Sequence, residues 1–523
     1  MIDPKAMTTL GLLSRANAAR RPDAMCHKFE GRATTFAQFD ALADKVANAL
    51  DAQGAKLVAY LGKNSDAAYE LLVGTARAGG IFGPINWRLA PEEVAGVINI
   101  FGPDVLCVGP EFHAAVEAIR DQLPADLTLV AMEGGHETWP AYETWRDAHP
   151  AGYPDDKAGP DDPCLLLFTS GTTGLPKGVM LSGGNLLRQR AAMAEAAMAY
   201  DSWEDDDINL VSMPFAHIGG LGLWVISFAN CCGAIITREF DPIEAMDLIH
   251  NEGVSRLFAV PAALQFIVRH PKAKETDFSG IRSISYGAAP MPLPLLRECL
   301  EVIGGKLTQV YGMTETTGSV CLLPPEDHDP AGSPRMNSAG KAMPGQEIRI
   351  LDPEGNEVPL GEIGEIASRG SQCMIGYWKN PEATAKTKTA DGWVKSGDAG
   401  YMDADGYVYI HDRIKDMIIS GGENVYPAEV ESVLYAHPSV SEAAVIGVPD
   451  EKWGEAVKAV VTLKEGASLD EAAVIGHCRQ HLAAFKCPKT VDVIPAMPRN
   501  ASGKLLKRDL RAPYWAGRAR QVN

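Results

Sequence analysis

Basic residues are in short supply. The 523 residues carry 48 Lys and Arg against 67 Asp and Glu, a net charge of -19. A body that acidic repels nucleic acid and anionic membrane, which excludes both as main partners. Cysteine pairs are lacking too. The ten cysteines are scattered, only Cys231 and Cys232 lie close together, and there is no CxxC. That argues against a zinc site or a disulfide framework and for free thiols in a reducing cytoplasm. The chain also lacks a transmembrane run. From Ile208 to Thr237 there is no Asp, Glu, Lys or Arg, but Pro214, His217 and Asn230 interrupt the stretch, as do Gly219, Gly220, Gly222 and Gly233. A spanning helix wants about 20 predominantly apolar residues, so a buried helix flanked by strands is the expected form. The first residues, MIDPKAMTTLGLLSR, have early charges and no long apolar core, unlike a signal peptide. There are no internal repeats.

What is present is the composition of a globular protein, 46% apolar and 22% charged. The length exceeds a single hydrophobic core, so two or more domains are expected. Up to about residue 330, strand-like and helical patterns alternate. Leu57–Leu61, Val105–Val108, Leu257–Val260 and Ile281–Ser285 read as strands, and Ser65–Gly79 as a helix. This alternation predicts doubly wound parallel sheets, an α/β fold. From Ser338 to Ile410, short alternating strands between Pro-Glu-Gly, Pro-Leu-Gly and Ala-Asp-Gly turns predict a small, β-barrel-like antiparallel unit. After Arg413 the pattern becomes that of a small α+β unit. The expected domains are 1–414 and 415–523.

The stretch LLLFTSGTTGLPKGVM, residues 165–180, looks made for phosphate. It is not a Walker A loop, because Lys177 follows Pro176 and precedes Gly178, and no frame gives the required spacing. Gly171 and Gly174 still allow tight turns and close approach to an anion, Ser170, Thr172 and Thr173 offer hydroxyl donors, and Lys177 offers charge. An ordinary glycine-rich hairpin loop is the bland alternative. Between Arg499 and Arg520 there are seven Lys or Arg and one acid, Asp509. This tail is either a solvated basic face or a local attractor for polyphosphate.

Three further stretches share this polar, glycine-punctuated texture: YGMTE at 311–315, GWVKSGD at 392–398 and PRNASGK at 498–504. Each is weak alone. Together and in this order they resemble the adenylate-forming superfamily of acyl-CoA synthetases, aryl-CoA ligases, firefly luciferase and peptide-synthetase adenylation domains. The resemblance covers essentially the whole chain. DRIKDMIISGGENVYPAEVE, 412–431, is similar to the bacterial fatty-acyl and aryl-CoA ligase branch.

The resemblance implies an enzyme that converts a carboxylic acid and ATP into acyl-AMP and pyrophosphate, then passes the acyl group to CoA. Its fold would be a large N-terminal domain and a smaller, mobile C-terminal one. Thr169, Ser170, Gly171, Thr172, Thr173, Gly174 and Lys177 would wrap the β- and γ-phosphates. Gly287, Ala288 and Ala289 would line the adenine, with Tyr311 stacked on it and Ile410 beneath. Thr314 would reach the α-phosphate and Glu315 would hold Mg²⁺, a hard cation that favours oxygen ligands. Asp398 would accept from both ribose hydroxyls, and Arg413 would contact the ribose or phosphate. Lys504 would be the catalytic lysine, delivered where charge develops, with Lys415 as the hinge. Ser420, Gly421, Gly422 and Glu423 would face the site after rotation, Gly422 leaving room for the pantetheine arm of CoA.

His217 would gate the acyl pocket, which Gly219, Gly220 and Gly312 would help line; a structural histidine at a helix start is the alternative. Small residues after His217 favour a larger acyl chain, so a medium- or long-chain fatty acid is expected, with a hydroxycinnamate, another aryl acid or a small acid as alternatives. Some long-chain relatives place a tryptophan gate where this chain has Leu221, and Trp224 is out of register. No Asp lies between Ile208 and Thr237 to pair with an amino group, which argues against an amino-acid substrate. A separate carrier protein is the alternative acceptor, and a homodimer is a family habit. An oxygenating enzyme, an ATP hydrolase and a non-catalytic nucleotide binder are the readings from other classes.

Overall fold

The computed structural model describes residues 8–154, 156–169, 176–420, 423–499 and 505–516. The expected alternation produces two large sheets. The nine-stranded sheet has a parallel centre running, in spatial order, Leu307–Tyr311, Ser283–Gly287, Arg256–Ala259, Ile208–Val211, Gly233–Ile236 and Met25–Phe29. Helices follow these strands in the crossovers, among them Ile218–Ala229, Pro261–Arg269 and Leu293–Val302. A parallel pair needs such a crossover, and the helices cover the sheet faces. The seven-stranded sheet is built likewise around Leu57–Leu61, Ile81–Ile85 and Pro163–Thr169.

The main core lies where helices of the two sheets meet. Trp224 stacks on Tyr69 with ring centroids 4.5 Å apart and on Phe228 at 4.3 Å, beside Phe39 and Phe215. The charge-free stretch is therefore a buried strand–helix–strand unit, Ile208–Val211, Ile218–Ala229 and Gly233–Ile236. Among the described residues no helix is long and apolar enough to cross a membrane. All ten cysteines are free and buried.

The small β unit is a four-stranded antiparallel sheet ordered Gln346–Leu351, Gly364–Gly370, Val394–Met402, Val408–Arg413. Its barrel-like character stops there: no ladder joins its first and last strands among the described residues. The C-terminal sheet uses only later strands, Ile418–Ser420, Glu423–Val425, Val440–Asp450, Gly454–Leu463 and Thr490–Val493. A single helical turn, Ile414–Asp416, lies between the last strand of the one sheet and the first of the other.

That junction is held by the tail. Lys507 is buried between Glu431 (2.9 Å) and Asp412 (3.5 Å), and Arg511 pairs with Asp416 at 2.8 Å. Arg499 pairs with Glu442. Both readings of the basic tail therefore need correction at these positions. Three of its cations neutralise acids of the chain itself, while Arg508 is exposed.

Candidate active site

The YGMTE and GWVKSGD motifs meet at the C-terminal edge of the nine-stranded sheet, where open α/β sheets place their ligands. The Ser283–Gly287 strand ends at Gly287. A Cβ there would come within 2.2 Å of the Val310 carbonyl oxygen, so only glycine lets the two strand ends close up. Ala288 follows with φ of 65°, a left-handed conformation that non-glycine residues rarely hold. Its neighbour in space, Tyr311, ends the next strand. Beyond it Gly312 begins a tight loop in which an added Cβ would meet the Gly318 oxygen at 1.8 Å. The loop closes on itself through Gly318 N–H donating to Met313 O (3.0 Å) and Met313 N–H donating to Thr316 Oγ1 (3.1 Å). Thr314 and Glu315 are thereby held at the sheet edge.

The small β unit completes the constellation. Asp398 and Arg413 are ladder partners, and Arg413 Nε lies 2.7 Å from Asp398 Oδ1. Tyr311 donates its hydroxyl to Asp398 Oδ2 at 2.7 Å. Burial, and then the Asp398 charge, pushes the Tyr311 phenol well above its ordinary range, so it stays a donor. Tyr311 and Arg413 thus both orient Asp398. A carboxylate has about four lone-pair sites, which suits it to accept from several donors at once. Ile410 lies on the adjoining strand, opposite Gly400.

Glu315 has a partner that sequence reasoning missed. Tyr377 donates its hydroxyl to Glu315 Oε1 at 2.8 Å, and Met374 N–H donates to the Glu315 carbonyl at 2.8 Å. Glu315 Oε2 has no protein donor among the described residues, so the carboxylate is braced on one side and open on the other. That donor chemistry fits a hard divalent cation. Lys177 Nζ sits 5.1 Å from the centre of the Tyr377 ring. Thr169 and Lys177 are ladder partners at the ends of antiparallel strands, so the phosphate-type stretch is topologically a hairpin. Ser170, Gly171, Thr172, Thr173 and Gly174, at its tip, lie outside the described residues, as do Gly421, Gly422, Lys504 and the side chain of Lys415. Ser420 is buried and Glu423 exposed, and neither lines the cavity described next.

A cavity of about 280 Å³ opens beside Ala288, Gly312 and Thr314 and runs beneath the Gly183–Ala196 and Ile218–Ala229 helices. His217 stands at the N-terminal end of the second helix and lines the cavity together with Gly219, Gly220 and Gly222. Ile218, Gly222, Val225 and Ile226 face it at helical spacing. Leu221 and Trp224 point the other way, into the core, so neither is a gate. Ala289 is absent from its lining.

Comparison with known proteins bears on the whole constellation. The AMP-binding enzyme family model matches residues 14–378, and the model of the AMP-binding enzyme C-terminal domain matches residues 429–504. The chain belongs to the AMP-binding enzyme family. It is 39% identical over 520 residues to a fatty acid–[acyl-carrier-protein] ligase of Streptomyces coeruleorubidus, covering 99% of this chain and 98% of that one. An indoleacetate–CoA ligase of Aromatoleum aromaticum is 37% identical, covering 95% and 96%. Among solved structures, ATP-bound MatB from Rhodopseudomonas palustris superposes with a TM-score of 0.87 at 32% identity, covering 96% and 99%. Within the adenylate-forming superfamily the chain falls in the acyl- and aryl-CoA synthetase branch. It is an AMP-forming acid–thiol ligase that uses ATP.

Proposed function

We propose that this ligase activates a medium- or long-chain carboxylic acid as its adenylate and transfers the acyl group to CoA. The observation that carries the reading is the continuity of one cavity with the nucleotide motifs: Ala288, Gly312 and Thr314 belong to both. An acid lying in the cavity would present its carboxylate at the edge where Thr314 and Glu315 stand.

In the first half-reaction a carboxylate oxygen attacks the α-phosphorus of ATP and pyrophosphate leaves. The acid is already ionised at neutral pH, so no general base is needed. Asp398, steadied by Tyr311 and Arg413, fixes the ribose, and Thr169 to Lys177 hold the leaving phosphates. Glu315 would hold Mg²⁺, which when bound neutralises phosphate charge. Lys504 stabilises the charge that builds on the α-phosphoryl oxygens. In the second half-reaction the small domain turns about Lys415, Lys504 withdraws, and the thiol of CoA enters past Gly422 to displace AMP.

A carrier protein is the second reading for the acceptor, supported by the acyl-carrier-protein specificity named for the 39% identical relative. The test is pyrophosphate release with ATP and Mg²⁺ across saturated acids from acetate to stearate, cinnamates, benzoates and amino acids, with and without CoA. CoA-dependent turnover on the longer acids is the expected result. Turnover that never depends on CoA would move the acceptor to a carrier protein, and silence on every acid would overturn the reading.

A further inference from the structure

The cavity has a second end, and it is polar. Along the Ser283–Gly287 strand, Ser283 and Ser285 line it before Ala288 does. Five residue steps at ~3.3 Å put its far end roughly 16 Å from the nucleotide edge. At that end Arg256 and Ser283 are register partners, as are Arg256 and Asn209, and all three line the cavity. The Gly183–Ala196 helix brings Leu186, Gln189, Arg190 and Met193 to the same space.

Arg190 touches Asp201 through Nη1 alone, at 3.3 and 3.4 Å, both long for a charge-assisted bond. Its Nε and Nη2 have no protein acceptor among the described residues, although the side chain is only 12% exposed. Trp203 lines the cavity beside them, and its indole N–H is buried with no acceptor among the described residues. A guanidinium this well covered normally has its donors met, whereas the Trp203 N–H is sealed from the cavity. The charges, by contrast, already balance. Arg190 is matched by Asp201, and Arg256, which lies over the Trp203 ring at 4.2 Å, is matched by Asp207 at 2.9 Å.

We propose that the acid this ligase activates carries a neutral oxygen, a hydroxyl or a carbonyl, at the end far from its carboxylate, and that Arg190 donates hydrogen bonds to it through Nε and Nη2. A plain hydrocarbon tail would leave the donors unmet. A second carboxylate would add a charge that no unpaired cation offsets. The inference rests on the ligase reading above and narrows its substrate class.

Matched acids of one length test it: dodecanoate, 12-hydroxydodecanoate and dodecanedioate, compared by kcat/KM in the wild type. Hydrogen bonds to a charged donor predict a preference of about tenfold to a hundredfold for the hydroxy acid over dodecanoate, with the diacid poorest. Arg190→Met should erase that preference, so that the hydroxy acid and dodecanoate are turned over with equal kcat/KM. Arg190→Lys, which keeps the charge but not the planar fork, should keep part of it. Calorimetric titration of the same acids must give the same order. Binding in that order with no pyrophosphate release, with or without CoA, would sink the ligase reading and spare the pocket assignment. Dodecanoate or the diacid ranking first in both assays would overturn the proposal.

Discussion

Two glycines at the start of the cavity helix are expected to respond in opposite ways to the same substitution. An added Cβ at Gly220 would sit 2.2 Å from the Pro214 oxygen and 2.5 Å from the Met213 oxygen, both backbone atoms just ahead of His217. At Gly222 it would meet Ile218 Cδ1 at 3.5 Å and Cγ1 at 3.7 Å, both ordinary contacts. Replacing a helical glycine by alanine gains up to ~1 kcal/mol. Overpacking against backbone costs about 1–3 kcal/mol or more. Gly220→Ala is therefore expected to lower Tm by roughly 1–3 °C and Gly222→Ala to hold or raise it. Gly222→Leu tests function as well, because its side chain would project into the cavity while its Cβ is accommodated. Each methylene of substrate that no longer fits forfeits ~0.8 kcal/mol, about fourfold in kcat/KM. Losing room for three would cost the longer acids about 10²-fold and leave octanoate nearly untouched. The assays are thermal denaturation and pyrophosphate release from octanoate and hexadecanoate. Equal Tm for the two alanine variants would refute the packing argument. An unchanged chain-length profile in Gly222→Leu would refute the placement of the acyl chain.

Asp398→Asn removes the charge that Arg413 and Tyr311 orient, and is expected to raise KM for ATP by about tenfold or more, from the loss of hydrogen bonds to a charged group; unchanged ATP kinetics would remove Asp398 from the nucleotide site. Lys507→Met strips the cation from between Glu431 and Asp412 and is expected to cost about 3–5 kcal/mol. Burial, which outweighs the Lys507 charge, already raises the Glu431 pKa, so ionised Glu431 is the unfavourable form once the lysine is gone. The stability deficit should then be smallest in acid, where Glu431 binds its proton, and grow as pH rises through its folded pKa; a deficit flat from pH 4 to 8 in thermal denaturation would contradict this. Lys504→Ala is expected to slow adenylation by about 10²–10³ while sparing thioester formation from supplied acyl-adenylate, and equal loss of both half-reactions would refute the two-position role.

The parallel architecture was legible because its strands are short apolar runs followed by helical patterns, and the structure lands within about two residues of Leu57–Leu61, Val105–Val108, Leu257–Val260 and Ile281–Ser285. Parts of the candidate site are local in sequence: Gly287, Tyr311 and Asp398, proposed for the nucleotide, and Gly312, proposed for the acyl pocket, sit in short motifs whose glycines mark where backbone must meet backbone. Tyr377 was missed because nothing local ties it to Glu315, 62 residues away in the chain. Leu221 and Trp224 could not be assigned a face until the phase of their helix was known, and that phase is set by Tyr69 and Phe228.

The same reasoning explains why substrate choice was the least readable property. The residues proposed for adenylation sit at one edge of the sheet, on loops whose backbone geometry demands particular residues. The far end of the cavity is assembled from the Gly183–Ala196 helix, the 201–203 segment and the first residues of two separate strands. Arg190 did leave a trace: it shares a helical face with Leu186, Gln189 and Met193, the one charge in a stripe that is half apolar. A charged residue in such a stripe must be paired or aimed at something that pairs with it, because burying it alone costs too much. Asp201 pairs it incompletely, through one nitrogen and at long distance, and what the remaining donors meet is then a question about the substrate.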